Sequence, residues 1–177
     1  QSAYQSAKYI ANQVNNPNKA LLMEGIRSAM NAQLRMQGAK RAFAENPNIE
    51  LVESASANWK IDEAHRLMTR WLQQHPDAKL LFAANDMMAL GAINALSEAG
   101  KEDVLIASYD ALDQAKQAIS KGTLQASVDQ RPDHQGYLGV DYAVRMMNGD
   151  SLPQTTLIDT RLITKETIES RSASGLP

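Results

Sequence analysis

Short apolar runs alternate along the chain with longer amphipathic segments. Several of the runs are almost continuously hydrophobic, which is typical of strands buried on both faces of a parallel sheet. The predicted strands are Ala20–Met23, Ile49–Ala55, Leu80–Ala84, Val104–Ser108 and Thr123–Val128.

The intervening segments place apolar residues three and four positions apart, the spacing of one helix face. In this way Leu34 is predicted to face the core from the first such segment, and Ile61 and Trp71 from the second. The predicted helices are Ser28–Glu45, Ile61–Gln74, Asp86–Ala99, Ala111–Ser120 and Pro132–Asn148, and residues 1–10 also have a helical pattern. Regular alternation of strands and helices predicts an α/β fold, with a doubly wound parallel sheet flanked by helices on both faces.

The pattern changes after Gln130. Arg131-Pro132 interrupts the chain before the last predicted helix, and Thr155–Ile158 and Arg161–Thr164 are predicted as short extended pieces. The polar tail Ser170–Gly175 is expected to fray.

Composition narrows the functional classes. The chain has 177 residues, 44% hydrophobic and 21% charged, with a net charge of −2 and acids and bases interspersed. These values are typical of a globular domain, and they show no excess of positive charge of the kind that binds nucleic acid. The absence of cysteine excludes a disulfide, a thiolate nucleophile and a cysteine-bound zinc.

No arrangement of residues in the sequence indicates catalysis. His65, His75 and His134 are scattered without the spacing of metal ligands, and no Gly-x-Ser-x-Gly elbow or phosphate-binding glycine loop occurs. We therefore expect no enzymatic activity, no metal and no cofactor.

Polar and aromatic residues follow the predicted strands. They are Asn58-Trp59, Asn85-Asp86, Tyr109-Asp110 and Asp129-Gln130, together with Arg35 in the helix after the first strand. Ligands of open α/β sheets bind at the carboxyl ends of the strands. Carboxylates, amides and a guanidinium match the donors and acceptors of sugar hydroxyls, and an indole can pack on the apolar face of a sugar ring. The pattern predicts a site for a neutral polyol.

Each of these residues also has a structural interpretation. Asn85, Asp86 or Asp110 could cap the following helix. Trp59 could be a buried wedge in a loop, and Arg35 could belong to a surface ion pair. Only the convergence of all of them on one sheet edge favours binding.

Phe82–Ala92, with the sequence FAANDMMALGA, resembles a hallmark segment of the ribose-binding protein family of ABC-transporter solute receptors. This family shares its fold with lactose-repressor-type effector domains. Ala32–Gly38, Ser108–Asp110 and Gln130–Pro132 fall in register with the same family, and Leu162–Glu166 is similar to the closing strand of the receptors more than that of the repressors.

The resemblance implies two similar α/β lobes joined by three crossover segments, with sugar bound between them. Residues 1–130 would form the C-terminal sugar-binding lobe. Residues 131–153 would form a hinge crossing and a helix packed on the N-terminal lobe, which would precede Gln1 in a longer protein. Residues 154–177 would form returning hinge strands and the tail.

Carried over position by position, the implied ligand contacts are Arg35, Trp59, Asn85, Asp110 and Gln130. Ribose binders usually have phenylalanine at the position of Trp59. Ring stacking would be kept there, but the width of the pocket would differ.

The implied function is a periplasmic receptor that delivers a sugar or polyol to the membrane permease of an ABC transporter. A periplasmic sensor domain or a repressor-type effector domain with the same fold is the alternative. The apolar face of the helix around 132–148 includes Tyr137, Val140, Val144 and Met147. We expect that face to be covered by the rest of the protein or by a neighbouring chain.

Overall fold

The computed structural model describes residues 2–174, and their side chains through residue 170. Helices and strands alternate through most of this range. In chain order they are α1 Ser2–Ala11, β1 Asn18–Glu24, α2 Met30–Ala44, β2 Ile49–Ser56, α3 Ile61–Gln74, β3 Ala78–Ala83, α4 Asp86–Glu98, β4 Leu105–Ala107, α5 Asp113–Lys121, β5 Ser127–Asp129, α6 Pro132–Met147, β6 Arg161–Ile163 and α7 Lys165–Ser174.

The central sheet contains four parallel strands in the order β2-β1-β3-β4. The segment leading into β5 extends this sheet beside β4, through a parallel bridge between Ala107 and Ala126. Farther along, β5 pairs with β6 in antiparallel orientation. The chain leaves β1 toward β2 and leaves β3 toward β4, in opposite directions. The adjacent strands β1 and β3 therefore flank the topological switch point.

Helices cover both faces of the sheet, as the alternation predicts. Helix α1 packs against α2, and α3 packs against α4. Right-handed crossovers running in opposite directions from the switch point place α2 on one face and α3 and α4 on the other. The central strands are apolar on both faces because both are covered: Leu21, Leu22, Leu81 and Phe82 are fully buried. The predicted α/β architecture is confirmed.

The predicted core faces need adjustment in two helices. In α2 the predicted residues Ala42 and Phe43 are buried, together with Ala32, Met36 and Ala39, whereas Leu34 is 56% exposed. Ile61, the first residue of α3, also lies at the surface, while Trp71 is fully buried as predicted. Leu34 and Ile61 both belong to the helix ends beside the carboxyl edge of the sheet, where the neighbouring strands have already stopped.

The fifth predicted strand, Thr123–Val128, is shorter than expected, because regular pairing begins only near Ala126. The side-chain Oε1 of Gln125 accepts a hydrogen bond of 2.6 Å from the backbone N of Ile106. A side-chain amide thus takes the place of a backbone carbonyl and interrupts the ladder. Hydrophobic pattern alone does not reveal this substitution.

The end of the chain differs more from the prediction. Thr155–Ile158 forms no strand, whereas Arg161–Ile163 forms β6. Helix α7 was not predicted. It begins where Thr164 and Thr167 exchange side-chain-to-backbone hydrogen bonds, a reciprocal cap. Residues expected to fray are helical through Ser174, and Gly175 lies outside the described residues.

Helix α6 stands apart from the core. None of its sixteen residues is buried. Tyr137 is 67% exposed and Met147 is 87% exposed, with Val140 and Val144 between them on the same stripe. Nothing among the described residues covers this apolar face, and the expectation that the rest of the protein or a neighbouring chain covers it stays a prediction.

Gly91 sets the distance between α3 and α4. A Cβ at this position would lie 2.2 Å from the carbonyl oxygen of Ile61 and 3.0 Å from the Cβ of Ala64. We expect Gly91→Ala to lower the free energy of unfolding by about 1–3 kcal/mol, the usual cost of overpacking, as measured by urea denaturation. Gly139→Ala is the control, because a Cβ there meets nothing within 4 Å. The control should be neutral or stabilising by up to about 1 kcal/mol, and equal losses for both variants would contradict this assignment.

Candidate functional site

Arg35 spans the switch point of the sheet. It lies one turn into α2, which follows β1, and its Nη1 donates a 2.7 Å hydrogen bond to the carbonyl oxygen of Ala84 at the end of β3. Its Nη2 donates a 3.1 Å hydrogen bond to Oδ1 of Asp110, after β4. The side chain is only 11% exposed. One guanidinium therefore connects three of the segments that form the carboxyl edge of the sheet.

Asp110 is the centre of the polar cluster. Besides Arg35, Nε2 of Gln130 donates a 3.1 Å hydrogen bond to the same Oδ1 atom. Burial raises the pKa of the Asp110 carboxyl above its ordinary value, and the charge of Arg35 opposes that shift. Asp110 does not cap α5, which begins at Asp113 after Leu112. The capping alternative is wrong for this residue.

Two aromatic rings enclose the guanidinium. The Cζ atom of Arg35 lies 3.8 Å from the ring centre of Tyr109 and 5.4 Å from that of Trp59. Both distances are within the range of cation–π interactions, which are worth about 0.5–2 kcal/mol. Tyr109 is buried and fixes the plane of Arg35, whereas Trp59 is half-buried at the rim.

Gly25 makes room for Trp59. A Cβ on Gly25 would lie 2.2 Å from the indole ring, so the ring rests directly on the backbone at the end of β1. Ser56 donates a 2.6 Å hydrogen bond to the carbonyl oxygen of Gly25 and holds the end of β2 against it. Asn58 and Trp59 both have positive φ angles, of 52° and 65°. This turn places the indole beside Arg35 at the sheet edge, where it also packs against the hydrophobic core.

Asn85 has the structural role that its position allowed. Its Oδ1 accepts a 3.0 Å hydrogen bond from the backbone N of Met88 and caps α4. The capping interpretation is thereby confirmed for Asn85. Its side-chain nitrogen has no partner among the described residues, so the amide can cap the helix and donate to a ligand at the same time.

The donors and acceptors that remain at this edge are mixed. Within the described part of the chain, Oδ2 of Asp110 and Oε1 of Gln130 accept no hydrogen bond, and Arg35 retains N–H groups beyond the two in use. The one charged pair at the centre, Arg35 with Asp110, is internally neutralised. Such a set can donate to and accept from hydroxyl groups without favouring a charged ligand.

A cavity of 240 Å³ opens beside the cluster. It is lined by Arg35, Tyr109 and Gln130 together with Asn31 and Leu34 of α2 and Ser2 and Ala3 of α1. The structure thus brings Arg35, Asp110 and Gln130 into direct contact, with Trp59 and Asn85 adjoining them. Sequence reasoning placed Tyr109 at the end of its strand but did not select it as part of the site, and it missed Gly25 altogether. The tyrosine next to Asp110 was a usable signal, whereas the role of Gly25 depends on packing across two strands.

Metal and membrane sites are not indicated. Among the residues that the structure describes, no group of histidine, aspartate and glutamate side chains is placed to hold a metal ion. None of the described helices has the length and hydropathy needed to cross a bilayer.

A family model described as a periplasmic binding protein domain matches residues 1–151. The chain belongs to this family. It is a family of sugar-binding periplasmic proteins, not of enzymes, and ribose and allose binders are among its members. The resemblance seen in FAANDMMALGA is thus confirmed.

Two curated relatives illustrate the similarity. The ribose import binding protein of Escherichia coli strain K12 is 32% identical over 158 residues, covering 89% of this chain and 53% of that protein. The D-apiose import binding protein of Paraburkholderia graminis is 36% identical over 143 residues, covering 80% of this chain and 46% of that protein. The chain spans about half the length of these relatives.

Two solved structures share the fold closely. A periplasmic solute-binding protein of Actinobacillus succinogenes with bound D-allose aligns with a TM-score of 0.92 at 33% identity, covering 96% of this chain and 60% of that one. A solute-binding protein of Bacillus halodurans with bound myo-inositol aligns with a TM-score of 0.91 at 33% identity, covering 98% and 60%.

The contact between Gly25 and Trp59 can be tested by a double-mutant cycle. Gly25→Ala should lower the free energy of unfolding by about 1–3 kcal/mol, because the added methyl displaces the indole. In a Trp59→Ala background the same change should cost little, so the two substitutions should couple by about 1 kcal/mol or more in urea denaturation. Simple additivity would show that the methyl group meets something other than the ring.

Proposed function

We propose that this chain contains the sugar-binding lobe of a periplasmic receptor, which binds a sugar or polyol and delivers it to the permease of an ABC transporter. The ligand contacts are Arg35, Trp59, Asn85, Asp110 and Gln130. The observation that carries the proposal is the mixed, charge-neutral set of donors and acceptors around the Arg35–Asp110 pair, beside a half-buried indole. The relatives at 32% and 36% identity are import binding proteins, which favours transport over sensing.

The physical basis for polyol selectivity lies in the acceptors. A sugar hydroxyl can donate to Oδ2 of Asp110 while its oxygen accepts from Arg35 or Asn85. Hydrogen bonds to charged groups contribute about 1.5–3 kcal/mol each. Trp59 adds an apolar surface for one face of the ring. A ligand without hydroxyls would leave these polar groups unpaired, so it would be rejected.

The segment after residue 130 has a separate role in this proposal. Residues 131–153 form a hinge crossing and a helix that packs on a second lobe, and residues 154–177 return from it. The exposed stripe of α6, with Tyr137 and Met147 at its ends, supports this division, since an apolar stripe of this size is rarely left in water. A second copy of the chain is the other possible cover.

Ligand binding tests the main proposal. Calorimetry of the full-length protein with pentoses, hexoses and cyclic polyols should find at least one ligand. Asp110→Ala should weaken that ligand by about 1–3 kcal/mol, because a buried hydroxyl and Arg35 lose their partner. Asp113→Ala is the matched control, three residues away and 88% exposed, and should leave affinity unchanged. Absence of binding across the panel, or an unaffected Asp110→Ala variant, would refute the assignment.

A substitution at Val140 tests whether a second lobe or a second copy of the chain covers the apolar stripe of α6. It is 68% exposed in this chain. Val140→Ser should change the free energy of unfolding of this chain by less than about 0.5 kcal/mol, as usual for a surface position. In the full-length protein the same change should cost more, about 1–3 kcal/mol for a buried apolar side chain. Equal small effects in both, with both monomeric by sedimentation, would mean that nothing covers the helix. Dimers of the short chain that Val140→Ser dissociates would assign the stripe to a second copy.

A further inference from the structure

Asp86 is a fully buried carboxylate beneath the proposed site. Its Oδ1 accepts hydrogen bonds from the hydroxyls of Ser108, at 2.5 Å, and Ser127, at 2.7 Å. Its Oδ2 accepts a 2.7 Å hydrogen bond from the backbone N of Leu112. These donors come from the end of β4, from β5 and from the turn before α5. One side chain at the start of α4 thus connects three segments of the sheet edge.

The turn that Asp86 supports is the one that carries Asp110. Asp110 has a φ of 111° and Ala111 a φ of 54°, strained conformations that residues with a Cβ rarely adopt. The backbone N of Ala111 donates to Oγ of Ser127, which in turn donates to Asp86. Both amides that follow Asp110 are therefore held by Asp86, one directly and one through a serine.

No cation pairs with Asp86 among the described residues. The charged groups near it are Asp110 in the turn and Arg35 of α2, which is bonded to Asp110. On the neighbouring elements, Asp129 at the end of β5 accepts from the backbone N of Arg131, and Asp113 of α5 pairs with Lys116 at the surface.

Burial raises the pKa of Asp86 to about 6, with a smaller contribution from Asp110, although the three hydrogen bonds oppose the shift. Because this folded-state pKa is above the ordinary value of 3.8, the folded chain holds the proton more tightly than the unfolded chain. The contribution of Asp86 to stability is thus present at acid pH and is lost as the pH rises through about 6. At neutral pH the ionised carboxylate therefore opposes folding.

We propose that Asp86 is a positioning residue for the sugar site: its ionised carboxylate holds the 109–112 turn so that Asp110 faces the ligand. This proposal rests on the function proposed above. An ionised carboxylate only accepts hydrogen bonds, and so satisfies all three donors together. Protonation removes the charge that strengthens these hydrogen bonds, and the new O–H takes a serine hydroxyl as its acceptor, so that this serine no longer donates to Asp86. The turn then relaxes, and Asp110 loses its orientation toward the ligand.

The pH profile of binding tests this proposal. Calorimetry of the full-length protein with a sugar that it binds should show affinity about tenfold weaker at pH 5 than at pH 7.5, as expected for about 1.4 kcal/mol. Asp86→Asn should be about tenfold weaker than wild type at pH 7.5, since an amide cannot accept from all three donors, and the change in affinity centred near pH 6 should be absent. Asp113→Asn should keep the wild-type profile.

A serine variant distinguishes the titration of Asp86 from that of Asp110, whose pKa is also raised. Ser108→Ala removes one hydrogen bond that lowers the pKa of Asp86, and it contacts no atom of the Asp110 carboxylate. It should move the midpoint of the binding profile to higher pH. If Asp86→Asn binds as tightly as wild type, or retains its pH dependence, Asp110 alone accounts for the profile and the proposal is wrong.

A measurement without ligand keeps the two proposals distinct. In wild type the backbone amide resonances of Ala111 and Leu112 should shift with a midpoint near pH 6, and in Asp86→Asn they should not. Amides that do not titrate would overturn the positioning role whatever the protein binds. If these amides titrate but the protein binds no sugar, Asp86 does control the turn, and only the proposed sugar-binding function is wrong.

Discussion

The ion pair between Arg35 and Asp110 joins the two halves of the sheet edge. Arg35 comes from the helix after β1 and Asp110 from the turn after β4, and the same guanidinium also bonds to the backbone at the end of β3. Parallel strands bring these ends to one edge, but the fold alone does not hold their side chains together. The buried pair does so, and Tyr109 beneath it and Trp59 beside it limit the orientations that Arg35 can adopt.

This pair also determines the chemistry that the edge can offer. Two opposite charges that neutralise each other leave a polar surface without a net charge. Desolvation of such a pair is costly unless its remaining hydrogen-bonding capacity is used. Gln130 uses part of that capacity on Oδ1 of Asp110, and hydroxyl groups suit the rest.

Most of the fold was predictable because its signals are local. Buried parallel strands are continuous apolar runs, and α3 carries its core residues at helical spacing. The departures arose where tertiary contacts override local pattern: Gln125 replaces a backbone acceptor with its side chain, and Thr164 and Thr167 begin a helix in a polar segment. At the site, strand-end position indicated Arg35 and the pairs Tyr109-Asp110 and Asp129-Gln130, and the family resemblance then singled out Asp110 and Gln130 within those pairs. The supporting residues, Gly25 and Asp86, depend on contacts between segments distant in sequence.

Helix α6 contributes no buried residue to this lobe, and the core is complete without it. A rotation of α6 needs hinges at both ends of the helix, near Arg131 and in residues 148–160, because β6 beyond it pairs with β5 and Ile163 is buried in the core. With both hinges, the packing of the sheet and of helices α1 to α4 would be unchanged. Movement of α6 would therefore not disturb the buried core. Such a rigid-body movement would change only backbone torsion angles in the hinge residues and would lose no core contacts. One of these residues, Arg131, already has a φ of 54° in the left-handed region.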